Sequence, residues 1–363
     1  MQYAPIALFT YNRADHTKQA VESLLKNEEA KYSDLFIFSD GPKNEKAAEG
    51  VKANRTFIRS LKDANDNDNV NHNLNLNEDE NEDYDNDEEY LNHNLNLNED
   101  ENENGKNSLP LGGTGWGRGF KSVTIIEREK NWGLANSLIA GITEIVNKYG
   151  RVIVVEDDLI LSPYFLKFMN DALDKYKDED RVASISAFLN PVEGVVPNTF
   201  FLRYFACWGW ATWKRGWDIL INDDRVLLKR LRWKKNDFNI GGTGPFYGIL
   251  YCDKVGLNDS WAVRFYASQF LAGKLQLFPG KTMAVQTGTD GSGTHGVEAE
   301  DTFNFMHLCM EPLELGDIPV EESREMYDRF SEFYGKRTDI SPIKYWMSKI
   351  TSSIRRFLGL DYR

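Results

Sequence analysis

The chain has 363 residues, which at roughly 100–200 residues per domain fits two domains, or one large α/β domain with additions. Hydrophobic residues make up 41% and the net charge is −13, but the acidity is local: residues 63–104 hold 16 Asp and Glu with no Lys or Arg, and the rest of the chain carries 43 basic against 40 acidic side chains. A near-neutral body gives no ground for nucleic-acid binding, which needs a basic face, and no apolar run approaches the ~18 residues of a membrane-spanning helix.

The segment Met1-Gln2-Tyr3-Ala4-Pro5 lacks the basic and apolar regions of a secretory signal. Cys207, Cys252 and Cys309 are too few and too scattered for a disulfide framework, and no CxxC suggests zinc. A cytoplasmic, reducing compartment is expected.

In chain order, Ile6-Ala7-Leu8-Phe9 reads as a short buried strand, and the spacing of Ala20, Val21, Leu24 and Leu25 as a helix over 15–26. Leu35-Phe36-Ile37-Phe38 is a second strand, followed by a helical stretch over 47–61. An acidic segment then repeats itself: the eleven residues from His72 to Glu82 recur 21 residues later as His93 to Glu103, and asparagine supplies 15 of the 42 residues over 63–104. So few large apolar side chains cannot offset the entropy of ordering, so residues 63–111 are expected to form a disordered insertion. Two copies are too few for a solenoid.

Beyond the insertion and its Gly-rich end, Val123-Thr124-Ile125-Ile126 and Val152-Ile153-Val154-Val155 are strands. Leu134, Leu138, Ile142, Ile145 and Val146 mark the helix between them. Ser162-Pro163 supplies a helix cap and first-turn proline for the stripe Phe165, Phe168, Met169, Ala172, Leu173 and Tyr176. Short continuous apolar strands alternating with amphipathic helices predict an α/β fold: a mostly parallel sheet with helices on both faces. After about residue 181 dense aromatics and turn residues predict an α+β half. The catalytic domain is expected over 1–62 and 112–300, with its nucleotide-binding half ending near 180, and a helical extension over 301–363. Residues 340–363 mix Trp346, Ile350, Ile354 and Phe357 with Lys349, Arg355 and Arg356. They fit an amphipathic helix lying peripherally on an anionic membrane, or a helix packed on the body with a solvated basic face.

Chemistry concentrates at the strand ends. Glu156-Asp157-Asp158 follows directly on a buried strand, where the carboxyl ends of parallel strands line a ligand crevice. Three acids there repel one another unless a cation offsets them, and Mg²⁺ or Mn²⁺ takes such oxygen ligands together with substrate phosphates. The alternative is a solvated acidic turn. The first strand runs into Thr10-Tyr11-Asn12-Arg13, the second into Ser39-Asp40-Gly41-Pro42, and the third into Arg128 and then Asn131-Trp132-Gly133-Leu134-Ala135-Asn136. Singly, Asp40-Gly41 is a turn and Asn131 a helix cap. Together they look like a nucleotide site, with a helix N-terminus suited to phosphate.

In these residues, over about 5–62 and 120–300, the chain resembles the GT-A fold glycosyltransferases of the family-2 type, with Glu156-Asp157-Asp158 as the DxD-type motif. The Glu-Asp-Asp form is also similar to that of the N-acetylglucosaminyltransferase I family. So is the later order of Gly209-Trp210, Asn258-Asp259-Ser260-Trp261 and a glycine-rich stretch from Gly288 to Gly296, although that family has paired aspartates where Asp259-Ser260 stand. The resemblance implies a metal-dependent inverting transfer from a nucleoside diphosphate sugar, UDP-linked, to a glycan or lipid-linked acceptor in surface polysaccharide synthesis. It implies Asp158 on Mn²⁺ or Mg²⁺, Asp157 on the donor sugar, Glu156 on the ribose and Asp40 on the base. Thr10, Tyr11 and Arg13 would line the base pocket.

An inverting transfer needs a base within hydrogen-bond reach of the acceptor hydroxyl. Asp259 is the candidate, with Asp224, Asp253 and Glu298 as rivals and a helix N-cap as its structural alternative. His295, in Thr289-Asp290-Gly291-Ser292-Gly293-Thr294-His295-Gly296, either meets a phosphate or the metal as that loop closes or belongs to an ordinary surface loop. Cys207-Trp208-Gly209-Trp210 offers sugar-stacking rings or core. Two other functions compete. A sugar-nucleotidyltransferase is disfavoured because Thr10-Tyr11-Asn12-Arg13 has no glycine for a triphosphate loop. A Ca²⁺- or partner-binding protein acting through the acidic repeats is disfavoured because no glycine falls within either repeat.

Overall fold

The computed structural model describes residues 3–78, 119–288 and 307–337. Its elements run in the order β1 (Ile6–Thr10), α1 (Ala14–Leu25), a 3-10 turn (Glu28–Tyr32), β2 (Asp34–Ser39), α2 (Glu45–Glu78), β3 (Ser122–Glu127), α3 (Leu134–Tyr149), β4 (Arg151–Glu156), β5 (Leu159–Leu161) and α4 (Phe165–Lys175). There follow β6 (Val182–Ser186), β7 (Thr199–Leu202), β8 (Trp210–Trp213), α5 (Lys214–Trp217), α6 (Asp224–Leu231), α7 (Lys235–Phe238), α8 (Phe246–Lys254), α9 (Trp261–Leu271), β9 (Leu275–Pro279), β10 (Ala284–Gln286) and α10 (Arg324–Lys336).

Eight strands form one mixed sheet in the order β3-β2-β1-β4-β8-β6-β9-β7, and β5 pairs with β10 in a small second sheet. The block β3-β2-β1-β4 is parallel, β8 runs antiparallel between β4 and β6, β9 is parallel to β6, and β7 is antiparallel to β9. The protein is therefore α/β, with a large, mostly parallel sheet flanked by helices. Strand residues alternate between two cores because successive side chains leave opposite faces. Ile6 and Leu8 of β1 join the core that includes Met169 of α4, whereas Ala7 and Phe9 join the one that includes Leu138 of α3 and Phe265 of α9. A third cluster joins Phe200 and Leu202 of β7 and Phe278 of β9 to Met326, Phe330 and Tyr334 of α10. Helix α10, in the stretch expected as an extension, thus closes the core at that edge of the sheet.

The four first strands and their helices lie where the apolar pattern put them. Two details differ. Helix α2 continues to Glu78, past residue 63 where the disordered insertion was expected to begin. Asn65, on the continuing helix, is 1% exposed and lies against Gly119, where a Cβ would meet its Oδ1 at 2.4 Å. The turns up to that point are thus held by packing, which outweighs their poor composition. The rest of the insertion lies outside the described residues, as do 338–363. Secondly, Ser162-Pro163 forms the turn before α4 rather than its cap. The N-terminus of α4 is served from outside, since Asn27 Oδ1 accepts from the Leu166 N–H at 2.8 Å.

Candidate functional site

Parallel pairing aligns the carboxyl ends of β1 to β4: Thr10 stands opposite Ser39, Ser39 opposite Glu127, and Phe9 opposite Glu156. The segments leaving these strands meet at one edge. Arg13, just before α1, reaches across β1 to the acids leaving β4. Its Nη2 donates to Asp157 Oδ1 at 2.5 Å and to Asp158 Oδ2 at 3.0 Å. The Tyr11 N–H donates to Asp157 Oδ2 at 3.3 Å. One guanidinium is thus the counter-ion of the acidic motif, and its Nη1 is buried without a partner among the described residues.

Electrostatics follows from this crowding. Burial pushes the Glu156 carboxyl well above the usual carboxylate range, and the Asp158 and Asp157 charges add to the rise. Burial pushes Asp157 up to about 6 against the pull of Arg13. Burial and the Glu156 and Asp158 charges also raise the Cys207 thiol, which sits between β7 and β8 and is held protonated, not primed as a nucleophile.

Asp40, leaving β2, is 6% exposed and grips the loop that opens α3. Its carboxylate accepts from Trp132 N at 2.9 and 3.1 Å, from Gly133 N at 2.9 Å and from Gly41 N at 2.9 Å. Asn131 Nδ2 donates to Gly41 O at 2.8 Å from the other side. The two loops touch so closely that a Cβ on Gly41 would lie 2.5 Å from the Lys130 carbonyl carbon. Beside them the Arg128 guanidinium stacks 4.1 Å over the half-exposed Trp132 ring. Behind them Arg55 of α2 ties the strand ends, donating to Arg128 O at 2.6 Å and Asp40 O at 3.3 Å.

The far wall comes from β10. The Thr287 N–H donates to Asp158 O at 2.8 Å. A Cβ on Gly288 would fall 2.6 Å from Asp158 Oδ2 and 3.1 Å from Arg13 Nη1, so glycine keeps open the space in front of the acid and the unpartnered nitrogen.

The acceptor-side candidates gather round one cation. Arg264 of α9, 7% exposed, donates to Asp259 Oδ1 at 2.8 Å and lies 3.7 Å from Asp253 Oδ2 and 3.9 Å from Asp224 Oδ1. Burial raises the Asp253 carboxyl to about 7, against the Ser260 N–H and Asn258 Nδ2 that donate to it at 2.9 and 2.8 Å. Asp259 is not the helix cap; Ser260 is, accepting from Val263 N. Trp261, two residues on, stacks 5.5 Å from Trp210, whose backbone pairs with Val154 of β4. The start of α9 therefore stands beside the β4 end of the same edge.

Of the residues read from the sequence, Tyr11, Arg13, Asp40, Asn131, Glu156, Asp157 and Asp158 meet at this edge. Several candidate residues have surroundings that the sequence did not show. Thr10 is 5% exposed, and its hydroxyl accepts from Asn54 Nδ2 at 3.0 Å, so it supports the wall instead of lining it. Asp40 and Asp157 have their oxygens engaged by protein donors, which hold the α3 loop and Arg13. Trp210 is fully buried, so it is core and not a stacking platform, while Trp208 is half-buried against Phe188. His295 and Glu298 lie outside the described residues. Arg55, Arg264 and Thr287 escaped the sequence reading, because a helix-face arginine and a threonine at a strand end carry no local signal. No protein-family model matches the chain, and no curated protein is similar to it in sequence.

Proposed function

We propose that this chain is a metal-dependent, inverting glycosyltransferase of GT-A architecture. It moves a sugar from a UDP-linked donor to a glycan or lipid-linked acceptor in the synthesis of surface polysaccharide. The observation that carries this reading is the convergence of four parallel strand ends on an acidic motif whose counter-ion is a shared arginine with a spare, buried donor. Such an edge offers a diphosphate a fixed cation, and the Arg128–Trp132 pair offers the base a stacking surface.

The fit to Mn²⁺ or Mg²⁺ follows from the donor set. Among the described residues no three metal-binding side chains converge. Among the described residues Asp158 has only Oδ2 engaged, by Arg13, and a divalent ion of this kind is held by one or two carboxylates plus substrate phosphates. Asp158 would hold the ion, which when bound neutralises charge developing on the leaving nucleoside diphosphate. Arg13 Nη1 donates to a diphosphate oxygen. Glu156, whose carboxyl burial raises to about 8, hydrogen-bonds a ribose hydroxyl. Asp157 and Asp40 hold Arg13 and the α3 loop at fixed positions, the preorganisation that electrostatic catalysis requires. Asp259, with Oδ1 anchored by Arg264, takes the acceptor hydroxyl's proton as that oxygen attacks the anomeric carbon opposite the leaving diphosphate.

Calorimetry of UDP binding with and without Mn²⁺ tests the reading. Binding that needs the metal and is lost in Asp158→Ala is the expected result. Failure of the folded protein to bind UDP or any other nucleoside diphosphate in either condition overturns it.

A further inference from the structure

Away from the strand-end edge, helices α6 to α8 build a basic, aromatic surface. Helix α6 turns Leu227, Leu228 and Leu231 inward. Outside, within seven residues, stand Lys229, Arg230, Arg232, Lys234 and Lys235, all exposed, and none of the five pairs with a carboxylate among the described residues. The nearest acid in sequence, Asp237, is engaged 3.5 Å away by Arg203. In their midst Trp233 is 84% exposed, with the Arg232 guanidinium 4.3 Å over its ring. The surface continues onto α8: Lys235 lies 5.0 Å over Tyr247, and Tyr251 and Val255, each one turn further along the same face, are 43% and 47% exposed.

A body with almost balanced charge gains nothing in folding from five unneutralised cations in one place, nor from an indole held in water. Both are accounted for by a partner that is anionic and has an apolar layer just beneath its charge. Lipid headgroups supply the charge, and an indole settles at the level between headgroup and acyl chain. No helix among the described residues is long and apolar enough to cross a bilayer, so the contact is peripheral.

We propose that the α6–α8 surface, centred on Trp233, docks the protein on an anionic membrane. The start of α9, just after Asp259, adjoins this layer through Arg264, which faces Asp224 of α6 and Asp253 of α8, so docking would hold that end of the sheet edge toward the bilayer. The proposal does not depend on the donor chemistry.

The test is co-sedimentation of the full chain with vesicles of 30% phosphatidylserine in phosphatidylcholine, and with phosphatidylcholine alone. Binding to the anionic vesicles only, weakened by 0.5 M NaCl, is expected. The triple variant Arg230→Gln, Arg232→Gln, Lys234→Gln should lose on the order of a hundred-fold in partitioning, at about five-fold per cation. Trp233→Ala should weaken binding without changing its salt dependence. These side chains are exposed, so unchanged thermal unfolding and an unchanged circular dichroism spectrum verify that the variants are intact. Three results overturn the proposal: no preference of the full chain for anionic vesicles, full binding by the triple variant, or loss of binding confined to Arg355→Gln, Arg356→Gln. Retention on heparin without vesicle binding points to a soluble polyanion and overturns it as well.

Discussion

Arg13 carries more of the site than any other single residue. It stands just before α1 and neutralises acids 144 and 145 positions away. Removing it leaves three adjacent carboxyl groups, two of them largely buried, without a cation among the described residues. An uncompensated buried charge is far costlier than a missing pair. Arg13→Ala should therefore lower folding stability by about 3 kcal/mol at pH 7.5, measured by urea unfolding. Arg13→Lys should recover only part of the loss, because an ammonium cannot reproduce the planar fork that spans two carboxylates. Equal stability of Arg13→Ala and the parent would show that the acids need no counter-ion.

At the scale of elements, long-range polar contacts do what local sequence does not. Asp40 fixes the start of α3 from β2, Asn27 serves α4 from the end of α1, and Arg264 gathers α6, α8 and α9 through Asp224, Asp253 and Asp259. The last cluster has a pH signature. The folded Asp253 carboxyl is raised to about 7, above its unfolded value near 4. The folded state therefore holds a proton that the unfolded state releases. This contribution to stability is complete below about pH 4 and is lost as pH rises through 7. Over that window stability should fall with a slope approaching 1.4 kcal/mol per pH unit, about the limit for one proton. Asp253→Asn should flatten that slope, as read from urea midpoints between pH 5 and 8. An unchanged profile would show that Asp253 is ionised in the folded protein.

For the whole molecule, the closing element is α10. It lies far along the chain from the parallel block and seals the β7–β9 edge, burying Phe330 against Phe200 and Phe278 at ring distances of 6.2 and 5.8 Å. Its first turn is tied to β7 through the Ser323 N–H to Phe201 O, and Glu322 joins it by pairing with Arg203. Phe330→Ala should cost about 3–5 kcal/mol, the usual range for a buried phenylalanine, seen as a lowered Tm. A change below about 1 kcal/mol would mark α10 as a detachable strap. The edge carrying Arg13 and Asp158 lies on other elements, so the UDP binding proposed for it should not change in the folded fraction.

Much of the fold was legible in the chain because a strand buried on both faces must be a short apolar run, and its covering helix must be one-sided. That constraint is local, so β1 to β4 and α1, α3 and α4 are written in hydrophobic periodicity. The polar residues just past each strand were equally legible as a group, since parallel strands bring their carboxyl ends to one side. Three things needed the tertiary structure. The reversal of β8 between β4 and β6 rests on pairing with strands distant in the chain, which has no short-range signature. The continuation of α2 past residue 63 goes with the burial of Asn65 against Gly119, against the preference of an Asn-rich sequence. The roles within the site were also decided there. Asp40 and Asp157 had the residue type of ligand contacts, but a buried carboxylate must find donors, and in the fold the nearest donors are backbone amides and Arg13. Residue type and strand position are properties of the sequence; which partner satisfies each buried charge depends on distances that only folding creates.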